Sequence, residues 1–380
     1  MDKIAIIGAN SFQNPLILKA KEMGLETHVF AWRENAVGEK TADYFYPISV
    51  VETEKILSKC REISPRAVLT IASDLAAITA NTVARALGLP ANSAACVRNT
   101  TNKFAMRTCF LRHGISVPKF ACVDERDCAE KTADFSYPLI VKPTDRSGSR
   151  SITEVHSPLE LPSAVARAAA DSFENKAIAE EYICGEEYSM ESITQNAKHT
   201  VLAITKKYTT GAPHYIETGH LQPSGLPEPI RQRAIAEVTA ALDALGVMVG
   251  ASHAEFRVDD QGRVRIIEIG ARMGGDCIGS DLVRISTGYD FVRMTIEAAM
   301  GIPVSFDRIQ TPKTALIRFL MTAQDVDRFA EIRRRYAQKI CFVSEIAPMD
   351  GHAVIDSGSR YGYYICALDT QKEAEELLHA

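Results

Sequence analysis

"RVRIIEIGARMGGD", residues 263–276, reads as a buried strand that carries a carboxylate. Glu268 stands among Ile266, Ile267 and Ile269, and a Gly-Ala-Arg-Met-Gly-Gly run follows. A charge among isoleucines is costly unless a counter-charge meets it. The identity of that partner decides what the strand is for. Upstream, the turn "DDQG" (259–262) closes a hairpin with residues 251–258, and an unbulged antiparallel register pairs Val258 with Arg263. His253 then falls opposite Glu268, and Glu255 opposite Ile266. Alternation puts His253, Glu255, Glu268 and Gly270 on one face. Glu255 and Glu268 become diagonal neighbours, roughly 5–7 Å apart. Two carboxylates that close repel, and a pKa rises unless a cation lies between them. Magnesium suits such a site, with water and phosphate oxygens filling its shell. The competing reading is a solvated face with an accidental glutamate pair, and one bulge would undo the register.

Outside this hairpin the chain reads as ordinary globular sequence. It has 380 residues, 46% hydrophobic and 24% charged, with net charge −5 and pI about 6.0. That length suggests two or three domains. With no long basic run, nothing favours nucleic acid or a membrane surface. No stretch approaches the ~18 apolar residues of a membrane span. The opening "MDKIAIIGAN" reads as a first strand rather than a signal peptide. Nine scattered cysteines form no CxxC pair and read as the reduced thiols of a cytoplasmic protein.

"KIAIIG" (3–8), "THVFAW" (27–32) and "AVLTI" (67–71) read as strands, with helices at 15–23 and 75–87. This alternation predicts an α/β, doubly wound (Rossmann-like) parallel sheet over 1–95. Its first turn, "GANSFQN" (8–14), holds one glycine where a dinucleotide fingerprint needs three, which disfavours redox chemistry but leaves room for an anion or a substrate. Beyond residue 95 come a helix at 102–113, buried strands at 137–143 and 176–183, and a hairpin of 187–193 with 200–206. A helix at 230–245 stops at Gly246, and residues 312–368 read as strands around one helix. Thr370 and Glu373 are spaced as a capping box for a final helix.

Three further features stand beside the glutamate pair. Lys103 falls in the first turn of its helix, where the macrodipole disfavours a cation. Lys142 ends the buried run "PLIVK". The loop "TDRSGSRS" (144–151) then offers backbone N–H groups around Ser147, Gly148 and Ser149, with Arg146 and Arg150 nearby, that could wrap a phosphate. Taken singly, the lysines read as solvated charges and the loop as an ordinary turn.

The order of these features is more informative than any one of them. A lysine, a lysine with a small-residue loop, "EEYICGEE" (180–187), then Glu…Glu-x-Gly-x-Arg resembles the ATP-grasp superfamily over roughly 95–300. "EIGARMGGD" looks most like the carboxylate–amine ligases related to bacterial L-amino-acid ligases. The resemblance implies a pre-ATP-grasp domain at 1–95, an ATP-grasp domain at 96–300 with a lid at about 115–185, and a small C-terminal α+β subdomain at 301–380. It implies ATP and magnesium, for which manganese can substitute. Lys103 and Lys142 would meet the phosphates under the lid loop 145–151. Glu180 would take the adenine amino group, the backbone of Glu181 and Ile183 the base edge, and Glu187 the ribose hydroxyls. Glu255 and Glu268 would be the metal ligands. A two-residue turn within "QNAK" (195–198) puts Lys206 opposite Glu187, as a third cation near the nucleotide. Two departures stand out. Gly270 replaces the asparagine that many members carry as a further ligand, and Ser151 stands where a second lid glycine is common.

The implied reaction is ADP-forming C–N ligation through an acyl phosphate, joining a small carboxylate, such as an amino acid, to an amine. Arg272 would hold the acyl-phosphate oxygens, with backbone donors at Gly274 and Gly275; a structural salt bridge is the rival role for Arg272. The segment 212–225, with His214, Glu217 and His220, reads as a polar loop, and Glu217 could bind a substrate ammonium. A homodimer is compatible with this reading. Three rivals remain: a carboxylase or carbamoyl-phosphate-type enzyme using bicarbonate, a nicotinamide oxidoreductase, and a non-catalytic nucleotide sensor.

Overall fold

The early strands of the sequence reading do lie side by side. In the computed structural model, which describes every residue except Pro213, His214 and Ala380, β1 (Lys3–Ile7), β2 (Glu26–Phe30), β3 (Tyr44–Tyr46) and β4 (Ala67–Leu69) form a parallel sheet. Its order is β3-β2-β1-β4. A parallel sheet needs cover on both faces. α1 (Asn14–Glu22) packs Leu16, Ile17 and Ala20 with Ile4 and Ile6, while α2 (Thr53–Ile63) and α3 (Asp74–Ala86) pack with Ala5 and Ile7. The doubly wound expectation holds. The space by the first turn, open to an anion in the sequence reading, is filled by the chain's own Gln13. That carboxamide accepts the Ile71 N–H at 3.0 Å and donates to the Ile71 carbonyl. Gly8 has φ +106°, and a Cβ there would lie 3.0 Å from Gln13 Cγ.

Ser93 caps α4 (Ala94–Thr101), which the sequence reading lacks, and Asn102 caps α5 (Lys103–Arg112). β5 (Phe120–Val123), β6 (Leu139–Pro143), β7 (Thr153–Val155) and β8 (Ala177–Glu181) then form an antiparallel sheet in the order β5-β8-β6-β7. The remaining strands are β9 (Glu186–Gln195), β10 (Lys198–Thr209), β11 (Glu217–Gln222), β12 (Val249–Val258), β13 (Val264–Gly270), β14 (Thr314–Leu320), β15 (Ile340–Val343) and β16 (Gly362–Leu368). They make one sheet, ordered β13-β12-β9-β10-β11-β14-β16-β15. Glu217 and His220 therefore sit on a strand rather than in a loop, and His214 lies outside the described residues. The C-terminal strands extend this same sheet through β11 and β14. The capping box at Thr370 and Glu373 is present. Among the described residues no helix is long and apolar enough to cross a membrane.

Both hairpins depart from the unbulged registers, and the departures decide which side chains face the site. β9 and β10 begin as expected, with Lys198 opposite Gln195, but the register shifts between Val201 and Ala203. Lys206 consequently lies opposite Tyr188, and Lys207 takes the cleft-facing place expected of Lys206. In β12 and β13, Val258 pairs with Val264, and a second shift follows between Glu255 and Phe256. Glu255 comes directly opposite Glu268, and His253 opposite Gly270. A bulge inserts one residue and turns the rest of the strand by one position.

Candidate active site

A cleft of about 1070 Å³ opens between the antiparallel sheet of β5–β8 and the β9, β10, β12 and β13 strands of the large sheet. Lys103, Lys142, Ser147, Gly148, Ser149, Glu180, Glu181, Ile183, Glu187, Glu217, Glu255, Glu268 and Arg272 all line it. Glu268 finds its partner here: Lys103 Nζ lies 3.1 Å from Glu268 Oε1 and 2.6 Å from the Arg146 carbonyl. Glu255 has cations of its own, Lys207 at 2.7 Å and His253 Nε2 at 3.2 Å. Burial alone would push the Glu255 carboxyl up, but Lys207 and His253 outweigh it and hold it well below the usual range. Lys207 also meets Glu187 at 2.9 Å, and these carboxylates keep its ammonium charged against the pull of burial. Lys206 pairs instead with Glu186 at 2.7 Å, outside the cleft, which corrects its expected role.

Behind Glu255 stands a residue the sequence reading missed. Glu191 is fully buried, bonds His253 Nδ1, and accepts the Gly274 N–H at 2.9 Å. Burial disfavours the imidazolium, yet Glu191 and Glu255 raise the His253 pKa to about 9. Gly274 is thus no free donor: its N–H is taken, and a Cβ would lie 2.7 Å from both Glu191 Oε1 and His253 Nδ1. The Gly275 N–H has no protein partner among the described residues.

On the opposite wall, Lys142 and Glu180 project from the paired strands β6 and β8 and form a buried ion pair. Arg107 of α5 completes a triad, with Nε 2.8 Å from Glu180 and Nη1 3.1 Å from the Ile266 carbonyl. Burial pushes the Glu180 carboxyl up, but Arg107 and Lys142 override it and hold it at about 2. Burial, reinforced by Arg107 and Lys103, pushes the Lys142 ammonium down, and Glu180 offsets only part of this. Glu180 therefore faces the cleft already committed to two cations. Next to it, the Glu181 N–H donates to the Lys119 carbonyl, and the Ile183 carbonyl accepts from Arg257. The Glu181 carbonyl and the Ile183 N–H have no hydrogen-bond partner outside the strand ladders among the described residues. They are an acceptor and a donor two residues apart on extended backbone, the edge an adenine requires. Glu187 is held by Arg257 at 3.0 Å as well as by Lys207.

The loop over the cleft is anchored at its start, where Asp145 accepts the Phe173 and Glu174 N–H groups at 3.1 and 2.9 Å. Gly148, Ser149 and Ser151 all adopt positive φ, two of them without the freedom of glycine. At the far end, Arg272 makes a two-point contact with Asp74, at 2.7 and 3.2 Å. A Cβ on Gly270 would lie 3.2 Å from Arg272 Cζ, so the guanidinium occupies the space that an asparagine side chain would need. Glu217 enters the cleft from β11 but is paired with Arg360 at 2.9 Å and accepts the Ser357 hydroxyl at 2.8 Å. His220 is buried, 3.7 Å from Asp276, and does not line the cleft.

No group of three or more His, Cys, Asp or Glu side chains forms a metal cage among the described residues. Two opposed carboxylates facing a cleft of lysines fit a magnesium ion that completes its shell with phosphate and water oxygens.

Residues 135–281 match the family model described as an ATP-grasp domain. A D-alanine–D-alanine ligase of Geobacter sulfurreducens is 28% identical over 182 residues, covering 46% of this chain and 55% of that protein. The chain spans about half the length of the curated relatives it matches. An L-amino acid ligase structure from Bacillus licheniformis superposes with TM-score 0.84 at 24% identity, covering 100% of this chain and 96% of the other. An N5-carboxyaminoimidazole synthetase from Staphylococcus aureus, complexed with ADP, gives TM-score 0.79 at 15% identity, with 100% and 96% covered. At these identities the likeness shows the fold.

Proposed function

We propose that this chain, which belongs to the ATP-grasp superfamily, is an ATP- and magnesium-dependent carboxylate–amine ligase that acts on an amino acid or similar small carboxylate. The observation that carries the reading is the pairing of Glu255 directly with Glu268, on a face that looks across the cleft to Lys103, Lys142 and the 145–151 loop. Magnesium held by the two glutamates would neutralise phosphate oxygens. Lys103, Lys142 and Lys207 add positive charge around the same oxygens, with Lys207 in the part the sequence reading gave to Lys206. The Glu181 carbonyl and Ile183 N–H take the base edge, and Glu187 the ribose hydroxyls.

In the first step a substrate carboxylate oxygen bonds to the γ-phosphorus, the bond to the β-phosphate oxygen breaks, and ADP leaves. In the second, an amine nitrogen bonds to the acyl carbon, inorganic phosphate leaves, and the nitrogen gives up its extra proton. Phosphoryl transfer asks little covalent chemistry of a protein, so the side chains chiefly position and neutralise. Arg272 holds the carboxylate and then the oxygens of the tetrahedral intermediate.

The test is ADP release from magnesium-ATP over amino acids, singly and in pairs. Release that needs two amino acids, with a condensed product by mass, is expected. Release driven by bicarbonate without an amine would make the protein a carboxylase. Nucleotide binding with no release under any condition would make it a sensor.

A further inference from the structure

No side chain of the first 95 residues lines the cleft, yet one of them holds a cleft residue in place. We propose that Asp74, at the first turn of α3, is a positioning residue that fixes the Arg272 guanidinium so that its free edge faces the carboxylate and phosphoryl oxygens of the reaction. What Arg272 holds rests on the ligase reading; how Asp74 holds Arg272 does not.

The geometry is specific. Asp74 takes Nε at 2.7 Å and Nη2 at 3.2 Å, and the Met273 carbonyl takes Nη1 at 3.2 Å. A guanidinium has five N–H donors. Among the described residues, one N–H on each terminal nitrogen is left without a protein partner, and these two donors are available to the oxygens of a substrate. Gly270 supplies the room, since a Cβ there would lie 3.2 Å from Arg272 Cζ and press on the guanidinium. Asp74 is itself held firmly. Gln13 clamps both backbone groups of Ile71, Ala72 adopts φ +56°, and Ser73 caps α3 by accepting the Ala76 N–H. Burial would push the Asp74 carboxyl up, but Arg272 first, then Lys103 and His253, hold it down, so it lies within the field of the site. On this account the N-terminal domain reaches the cleft through one carboxylate that lies behind Arg272, and the glutamine that fills its first turn stiffens that contact.

The test compares Asp74→Asn, Asp74→Glu, Arg272→Lys and the Asp74→Asn/Arg272→Lys double variant. Magnesium-ADP binding is measured by calorimetry, then inorganic phosphate binding to the ADP-loaded protein, then KM and kcat for the amino acids found by the ADP-release screen. Asp74→Asn should keep ADP affinity within about two-fold but weaken phosphate about ten-fold, the scale of one charge-assisted hydrogen bond. KM for the carboxylate should rise while KM for ATP stays. In the Arg272→Lys background the same change should add less than about two-fold, because the two residues act as a unit. If Asp74→Asn does not fold, Asp74→Glu keeps the charge, moves the carboxylate, and should show the same selective loss. Unchanged phosphate affinity overturns the proposal. So do effects that multiply in the double variant, or ADP affinity and melting temperature falling together without selective loss of phosphate. A wild type that releases no ADP with any amino acid, alongside the expected phosphate results, sinks the ligase reading and leaves Asp74 standing.

Discussion

Replacing Glu180 by glutamine should make the protein less stable at neutral pH and should erase that difference in acid. Its carboxyl is held at about 2, against 4.5 for a free glutamate. At about 1.4 kcal/mol per pH unit, that gap is worth about 3 kcal/mol at pH 7. Glu180 is almost wholly buried, so solvent screening takes little from this figure. That figure already contains the loss of Arg107 and Lys142, which the variant, like protonated wild type, leaves buried without a counter-charge. Burial already pushes the Lys142 ammonium below its usual range, and the loss of Glu180 would push it further down. The folded-state pKa lies below the unfolded value. The stabilisation is therefore complete above pH 4.5 and is lost as the pH falls through about 2. Near pH 3, about half should remain. The assay is the urea unfolding midpoint of wild type and Glu180→Gln over that window; carboxyls common to both cancel in the difference. A difference that stays flat from about pH 6 to about pH 2.5 would refute the triad as the source of the shift.

Four other variants or conditions test the cleft, and the first two separate the bulged register from the unbulged one. Lys207→Ala strips the shared cation from Glu187 and Glu255 and should cut ADP release on the order of 10²-fold. Lys206→Ala should stay within about two-fold, because an exposed surface pair is worth little; the opposite ranking would restore the unbulged register. Glu268→Gln should abolish ADP release with the fold intact, and wild-type-like release would remove Glu268 from the metal site. Two unscreened glutamates would make that variant melt higher without magnesium, but Lys103 already pairs with Glu268, so the melting temperature should hold or fall slightly. Tryptic cleavage after Arg146 or Arg150 should be suppressed by magnesium and a non-hydrolysable ATP analogue; a loop cut equally with and without nucleotide does not close over phosphate.

The sequence reading placed the parallel sheet, both hairpins and the capped final helix, because alternation and turn residues mark them directly. It missed both bulges, although each left a trace. In β13 the buried positions run Val264, Ile266, then Ile269, a step of three where an even strand steps by two. The doubled isoleucine at 266–267 is the extra residue showing through. In β10, Val201 and Ile204 pack into one core cluster, while Leu202 and Ala203 pack into the cluster on the other face. A strand apolar on both faces loses the polar markers that fix its phase, so one extra residue passes unseen. Every cleft residue whose role changed lies beyond one of these slips or depends on a partner far along the chain.

Those distant partners have no local signature. Asp74 is 198 residues from Arg272, Glu180 is 73 from Arg107, and Arg360 is 143 from Glu217. Pairing explains how so many charges stay folded at the edge of a hydrophobic core. Each carboxylate expected to meet a ligand already meets a cation of the protein, and removing either partner would strand a buried charge. On the proposed function, a metal nucleotide carries both signs at once, phosphate oxygens for the lysines and a divalent cation for the glutamates. Lys103 can then leave Glu268, and Lys207 can leave Glu255, without exposing either charge unpaired. A ligand of one sign alone would break a pair and compensate only half of it. The isoleucine-flanked glutamate thus costs little in either state, since the cleft exchanges its counter-ions rather than acquiring them.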